Sequence, residues 1–234
     1  MNETRLYIAL TSDFADDAAG MLSPLTGLPL GVKVGLELFV RKGPGLVREL
    51  RRAGFPVFLD LKFHDIPFTV GGAVRSACEL EPAIVNVHAS GGIEMMKAAA
   101  GARSGHTRVI AVTVLTSMDG SDLELLGTCC TPLELVSRLA SAARDCGLDG
   151  VVCSPLEASA VRSSTDVDFL IVTPGIRPAG SDSGDQKRIM TPAMAIRAGA
   201  SALVVGRPVT GAADPAAAAR SILAEIDEAL ATGD

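Results

Sequence analysis

The chain has 234 residues, of which 48% are hydrophobic, and a formal net charge of −6 at pH 7. This length suits one large α/β domain or two small ones, and the high apolar content favours strands that are covered on both faces. The acidic balance, with no Trp and one Tyr, argues against an extended nucleic-acid surface. The apolar runs are shorter than the roughly 18 residues of a membrane helix, and the first residues lack a signal-peptide pattern, so we expect a cytoplasmic enzyme with no membrane partner.

The cysteines give no sign of a disulfide framework or of a zinc site. Cys78, Cys129, Cys130, Cys146 and Cys153 are odd in number, and none has C-x-x-C spacing. We expect reduced and mostly buried thiols.

Short runs rich in β-branched residues recur along the chain and alternate with segments of helical periodicity. A last helix begins at Asp214 and Pro215, which form a side-chain N-cap followed by a proline in the first turn. The expected strands are 6–10, 31–35, 57–61, 83–88, 108–115, 150–154, 169–173 and 202–206. The expected helices between them include 44–53, 67–80, 91–102, 132–146, 155–164 and 191–198.

Eight strands alternating with helices predict a (β/α)₈ TIM barrel, as one domain over residues 1–234. A doubly wound open sheet is the alternative. The G-x-G-x-x-G turn that would favour it is missing, because the chain after the first strand reads TSDFADDAAG. In a barrel, the catalytic residues collect where the strands end, at the C-terminal face.

The stretch FLDLKFHDIPFTV, residues 58–70, places charge directly after an apolar strand. Asp60 and Lys62 are two positions apart, so their side chains share one face of the strand, and Lys33 ends the strand before. A structural ion pair is the plain alternative for the first two, and helix capping is the alternative for Asp65. A lysine held among carboxylates stays protonated and is suited to act as an acid.

Two glycine-containing turns with an arginine follow the last two expected strands. They are VTPGIRP, which contains Arg177, and VVGRPVTG, which contains Arg207. Plain surface loops are the alternative, but the loops after strands 7 and 8 of a barrel commonly bind phosphate, and guanidinium groups suit phosphate oxygens. The composition GSDSG at 180–184 predicts a mobile loop within 174–190 that closes over the phosphate.

The histidines invite a metal hypothesis, since His64 and His88 accompany Asp60. The chain has no H-x-x-x-H or E-x-x-H spacing, and lysines share the same mouth of the barrel. We therefore predict no metal ion.

Several sequence blocks together resemble the orotidine 5′-phosphate decarboxylase family. The resemblance covers nearly the whole chain with the blocks in the expected order, and it implies decarboxylation of orotidine 5′-monophosphate (OMP) to UMP, without metal or organic cofactor, in a (β/α)₈ homodimer. The blocks are FLDLKFHDIPFTV, VKVGLELF, VNVHASGG, TVLTS, LDGVVCS, TPGIRP, GDQKRIMTP and VVGR.

The resemblance also implies roles for individual residues. Lys62 is similar to the proton donor to C6 of the pyrimidine, Asp60 to the carboxylate beside the departing CO₂, and Lys33 to the lysine that links this network to the ribose. Asp65, with Ile66 and Thr69, resembles the group that enters the partner subunit's site. Thr116 and Ser117 match the pyrimidine-binding turn, and Gln186, Gly206 and Arg207, with Arg177 on the same side, match the phosphate clamp.

One position departs from the family's pattern. Family members usually end the first strand with an aspartate that contacts the ribose, whereas IALTSDF has Thr11 there and Asp13 two residues later. Strand alternation puts Asp13 on the same side as Thr11, roughly 6.5–7 Å further along. We expect Asp13 to substitute in part, the alternatives being a weaker contact from Thr11 or a lower ribose affinity.

Two rival functions remain open on the sequence. Mg²⁺-dependent sugar-phosphate decarboxylases and aldolases share the D-x-K-x-x-D block, but they carry an acidic residue where this chain has Lys33. A catalytically silent nucleotide-binding relative would fit the altered first strand. The intact set of Asp60, Lys33, Lys62 and Asp65 argues against that second rival.

Overall fold

The computed structural model describes residues 4–11, 18–178 and 190–232. Eight parallel strands close into a barrel in chain order, and the last strand pairs with the first. The predicted barrel is therefore confirmed, and the open-sheet alternative is wrong. The strands are Leu6–Leu10 (β1), Gly31–Gly35 (β2), Val57–Phe63 (β3), Ile84–His88 (β4), Arg108–Val112 (β5), Gly150–Val152 (β6), Leu170–Thr173 (β7) and Ala202–Val205 (β8).

Helices connect the strands and pack around the barrel, and their apolar faces share one core with the outward side chains of the strands. Within the described ranges, no helix combines the length and apolar character needed to cross a membrane. The helices are Ala18–Leu22 (α1), Leu36–Arg52 (α2), Pro67–Cys78 (α3), Ile93–Gly101 (α4), Gly120–Leu125 (α5), Pro132–Asp145 (α6), Ala158–Ser163 (α7), Pro192–Arg197 (α8), Arg207–Thr210 (α9) and Pro215–Ala231 (α10).

Some element boundaries differ from those that the sequence predicts. Helix α2 begins at Leu36 rather than at residue 44, and it kinks at Gly43, whose φ is 66°, before Pro44. A glycine followed by a proline looks like a helix start in sequence, which explains the late prediction. Strand β5 ends at Val112 rather than at residue 115, because its neighbour β6 is short and pairs with it only up to that residue. The short helices α1, α5 and α9, of five, six and four residues, have too few turns to show a helical period.

The inside of the barrel is filled by an apolar layer below the C-terminal mouth. The rings of Tyr7 and Phe58 meet edge to face, with centroids 6.0 Å apart. Gly31 leaves room for this packing, since a Cβ at that position would lie 2.5 Å from the Tyr7 ring. The layer fills the barrel on the N-terminal side of the mouth. The inward-facing positions that follow it along the same strands therefore face an open mouth at the C-terminal end. Its buried members are Tyr7, Phe58, Ile84, Ile110, Leu170, Val172, Ala202 and Val204.

The cysteines are thiols, as predicted, but most of them are not buried. Only Cys78 and Cys153 are buried, while Cys129 is exposed and Cys130 and Cys146 are partly buried. The expectation of mostly buried thiols is wrong because the loop between α5 and α6, which carries the adjacent pair, lies at the surface.

Candidate active site

A cavity of about 630 Å³ opens at the carboxyl ends of the strands. This volume falls within the range of about 300–1,000 Å³ that is typical of small-molecule sites. Among the described residues, the cavity is lined by residues of every strand except β4, or of the loop that follows each of those strands. The position agrees with the general location of active sites in barrel enzymes.

Asp60 lies at the centre of an ion network on one wall of this cavity. The ammonium of Lys33 is 3.0 Å from its Oδ2, and the ammonium of Lys62 is 2.6 Å from its Oδ1. The side-chain amide of Asn86 donates a second hydrogen bond to Oδ1 at 2.7 Å. The carboxylate is thus held in one orientation, with a lysine on each oxygen.

The Asp60 carboxyl is ionised throughout the neutral pH range. Burial by itself raises its pKa, but the positive charges of Lys33 and Lys62, with hydrogen bonds from Lys62 and Asn86, outweigh burial and lower the pKa to about 2. The cavity wall therefore carries a permanent negative charge between two ammonium groups.

The backbone of Lys62 adopts a conformation that is unusual for a residue with a side chain. Its φ is 51°, in the left-handed region. The cause is an irregularity in the pairing of β3 with β4: Leu59 pairs with Val85 and Phe63 with Val87, so three residues of β3 lie across from Asn86. The Oδ1 atom of Asn86 accepts a hydrogen bond from the Lys62 backbone N–H at 2.8 Å. This bulge brings the Lys62 side chain back over Asp60.

His64 and His88 lie side by side near this network, with ring centroids 5.3 Å apart. Burial lowers the pKa of His88, the neighbouring His64 and Lys62 lower it further, and Asp60 opposes them. His88 is therefore neutral at pH 7. Within the described part of the chain, no group of three or more His, Cys, Asp or Glu side chains is placed to hold a metal ion.

The structure brings most of the sequence-predicted site residues to one mouth and leaves a second group outside it. Asp65, Ile66, Thr69 and Ser117 are exposed and, among the described residues, are not part of the cavity wall. Asp13, Gln186 and the 180–184 segment lie outside the described residues. The predicted residues that line the cavity are Thr11, Lys33, Asp60, Lys62, Thr116, Arg177, Gly206 and Arg207.

Asp65 does not cap helix α3 in the expected way. The N-cap residue of this helix is Ile66, and it makes no side-chain cap hydrogen bond. The Oδ1 atom of Asp65 accepts a hydrogen bond from the adjacent Ile66 N–H at 2.6 Å, and the rest of the side chain is exposed. The capping alternative is therefore not supported by the geometry.

Asn86 is the site residue that sequence reasoning missed. It is fully buried and contacts both Asp60 and Lys62. A signal was present, because an amide side chain interrupts the apolar run AIVNVH two positions before His88, on the inward face of the strand.

Fold and site together define a class of protein: a (β/α)₈ barrel whose mouth holds a lysine–aspartate–lysine network on β2 and β3, across from two arginines after β7 and β8. The model of the family described as Orotidine 5′-phosphate decarboxylase / HUMPS matches residues 4–222. The chain belongs to this family.

Individual relatives agree with this assignment. A Halorhodospira halophila protein named orotidine 5′-phosphate decarboxylase is 53% identical over 225 residues, which is 95% of each chain. A Nitrosomonas europaea protein of the same name is 52% identical over 237 residues, covering 98% of this chain and all of that protein. The crystal structure of orotidine 5′-phosphate decarboxylase from Lactobacillus acidophilus has a TM-score of 0.85 at 39% identity, covering 96% of this chain and 100% of its own.

Proposed function

We propose that this chain decarboxylates OMP to UMP, the last step of de novo UMP synthesis, with no metal or organic cofactor. The observation that carries the proposal is the Asp60 carboxylate held between Lys33 and Lys62 on the wall of a nucleotide-sized cavity. The names of the relatives support the same activity, and they support neither the Mg²⁺-dependent nor the catalytically silent alternative.

Lys62 performs the central chemistry in this proposal. Loss of CO₂ leaves an electron pair and a negative charge at C6 of the pyrimidine, and the neighbouring ammonium stabilises that charge. The same ammonium then transfers a proton from Nζ to C6, which forms UMP, and the amine regains a proton from solvent. The contact of Lys62 Nζ with Asp60 at 2.6 Å supports this role, because the ion pair holds the ammonium in a fixed position on the cavity wall.

Asp60 contributes through charge repulsion and through orientation. Its carboxylate and the substrate carboxylate repel each other by about 4 kcal/mol if they approach to roughly 4 Å at an effective dielectric of 20. This repulsion disappears as CO₂ departs, so it destabilises the bound substrate more than the transition state. Binding energy from the distant phosphate offsets this repulsion and holds the carboxylate end of the substrate in place.

The two arginines form the proposed phosphate clamp with Gly206 and Gln186. Arg177 is buried, and its Nη1 donates to the Ile176 carbonyl at 2.9 Å, which holds the guanidinium in the cavity wall. Arg207 reaches the same cavity from the start of α9 and is exposed. A buried and an exposed guanidinium at one mouth support binding of a doubly charged phosphate.

Arg207→Ala is expected to raise KM for OMP by about 10- to 100-fold, because it removes a charge-assisted hydrogen bond to the phosphate. Steady-state kinetics should be measured with OMP and with orotidine, which lacks the phosphate. The variant and the wild type should have equal kcat/KM for orotidine. Arg220→Ala, an exposed arginine on α10, is the matched control. An equal loss with both substrates would contradict the phosphate role.

We propose a homodimer in which Asp65 and Thr69 reach the partner's site. Both residues are exposed at the start of α3, outside the cavity of their own chain. Two large apolar side chains beside them, Ile66 and Phe68, are 65% and 85% exposed. Apolar side chains so exposed next to a charged residue support an interface at this end of the barrel.

Mixing the inactive variants Lys62→Ala and Asp65→Asn tests the shared site. Random reassociation should restore about a quarter of wild-type activity, since half of the dimers are mixed and each mixed dimer contains one intact site. The decarboxylation rate is measured after brief dissociation and refolding of the mixture. Each variant refolded alone is the control. A mixture that stays inactive although mass spectrometry shows mixed dimers would place Asp65 in its own chain's site.

The sugar and the base have separate proposed contacts. Thr11 lines the cavity after β1, and we assign Asp13 a partial role in holding the ribose hydroxyls. Thr116 also lines the cavity, and with Ser117 it forms the proposed pyrimidine-binding turn. A ligand-bound crystal structure in which Asp13 points to solvent would contradict the ribose assignment.

The direct test of the function follows OMP absorbance with purified protein in the presence of EDTA. The expected result is full turnover to UMP that EDTA does not reduce. Absence of turnover would refute the decarboxylase function, and inhibition by EDTA would contradict the proposal that no metal ion takes part.

We further propose that residues 1–234 form one domain that acts in the cytoplasm without nucleic-acid or membrane partners. The reduced thiols and the net charge of −6 support this proposal.

A further inference from the structure

Asn86 joins two catalytic residues through the two ends of one side chain. Its Nδ2 donates to Asp60 Oδ1 at 2.7 Å, and its Oδ1 accepts from the Lys62 backbone N–H at 2.8 Å. The carboxylate requires a donor and the N–H requires an acceptor, so only one orientation of the amide satisfies both. The side chain is fully buried, so removing the amide leaves both neighbouring groups without their buried partner.

The position of Asn86 in the sheet explains why these bonds matter. It lies across from the bulge between Leu59 and Phe63, where the regular pairing of β3 with β4 is interrupted. Lys62 holds a φ of 51° at this bulge, and such a conformation is strained for a residue with a side chain and persists only where its surroundings hold it. The Asn86 side-chain oxygen accepts the hydrogen bond of the Lys62 backbone N–H at the point where the regular pairing of β3 with β4 is interrupted.

We propose that Asn86 is a positioning residue for decarboxylation: it holds the Asp60 carboxylate and the left-handed backbone of Lys62 in the geometry that proton transfer to C6 requires. The inference rests on the proposed function. The amide does not touch the substrate in this proposal and acts only through its two neighbours. Without it, both neighbours move relative to the reacting carbon, and a displacement of about 1 Å is enough to lower a rate about 100-fold.

Other groups around Asp60 do not duplicate this role. Lys33 approaches from β2 and Lys62 from the carboxylate's own strand, and both contribute positive charge. His88, on the same strand as Asn86, is neutral at pH 7 and therefore adds no positive charge beside Asp60. Among these neighbours, Asn86 is the one that joins the carboxylate to the Lys62 backbone.

Asn86→Ala is expected to lower kcat for OMP by about 10- to 100-fold and to change KM by less than about threefold, because binding of the distant phosphate is untouched. Thr107→Val is the matched control. It removes another buried hydrogen bond, from Thr107 to the Pro82 carbonyl at 2.8 Å, at the opposite end of the barrel. The control is expected to lose stability while keeping kcat.

Asn86→Asp is a nearly isosteric second variant that keeps the fold even if the alanine variant unfolds. When the new carboxyl group is protonated, it can donate to Asp60 and accept from Lys62, as the amide does. When it is ionised, two carboxylates repel each other and the donor is lost. We therefore expect its kcat relative to wild type to be about tenfold higher at pH 5 than at pH 8.

Two results would overturn the inference. One is a folded Asn86→Ala variant whose kcat is within twofold of wild type or whose loss appears in KM alone. The other is an Asn86→Asp variant whose loss of kcat relative to wild type is the same at pH 5 and at pH 8, which is the result expected if Asn86 only stabilises the fold. Wild-type enzyme is assayed in parallel, so its turnover of OMP separates a failure of this inference from a failure of the proposed function.

Discussion

Lys62→Ala is expected to lower kcat for OMP decarboxylation by about 10⁴-fold or more. One ammonium group provides both the electrostatic stabilisation of the C6 carbanion and the proton that ends the reaction, and each effect alone is typically worth about 10²-fold or more. Single-turnover kinetics with excess enzyme measure the residual rate. The fold is expected to remain, because Lys33 and Asn86 still hold Asp60.

Two further variants separate the ammonium group from its unusual backbone. Lys62→Gly accommodates the φ of 51° without strain, so equal inactivity of the glycine and alanine variants assigns the loss to the missing ammonium. Lys97→Ala removes an exposed lysine on α4 that pairs with Glu94, and it should keep wild-type kcat. A Lys62→Ala enzyme within tenfold of wild type would contradict the assigned proton donor.

Asp60→Asn is expected to lower kcat by about 10³-fold and, at the same time, to strengthen binding of OMP. The neutral amide no longer repels the substrate carboxylate, a repulsion of about 4 kcal/mol at roughly 4 Å and an effective dielectric of 20. Part of this gain is offset, because the substitution also loosens Lys33 and Lys62. We therefore expect OMP to bind about tenfold more tightly, because only a fraction of the removed repulsion appears as a gain in binding free energy.

Calorimetry on the slow Asp60→Asn variant gives both affinities needed for this test. UMP lacks the carboxylate, so its affinity should change little, and the ratio of OMP to UMP affinity is the informative quantity. Asp168→Asn, an exposed aspartate before β7, is the control and should leave both affinities unchanged. An unchanged ratio in Asp60→Asn would show that charge repulsion of the substrate contributes nothing.

The amino-acid sequence by itself predicted the barrel and the charged residues at its mouth. Eight β-branched runs that alternate with helical segments lead to one closed sheet, and the ends of parallel strands meet at one face. Strand alternation also placed Asp60 and Lys62 on the same side of β3, and the structure has both on the cavity wall. These features are local, because they depend on hydrophobic period and on position within a strand.

Only the tertiary structure decided the conformation of Lys62 and the partners of Asp60. The left-handed φ arises from a bulge between β3 and β4, and Asn86, which stabilises it, is 24 residues away in the chain. Strand alternation assumes a regular ladder, so it identifies the face of Lys62 but not the bulge. The depressed pKa of Asp60 likewise depends on Lys33 and Asn86 from neighbouring strands. Pairing between distant segments is a property of the closed barrel, and no local pattern encodes it.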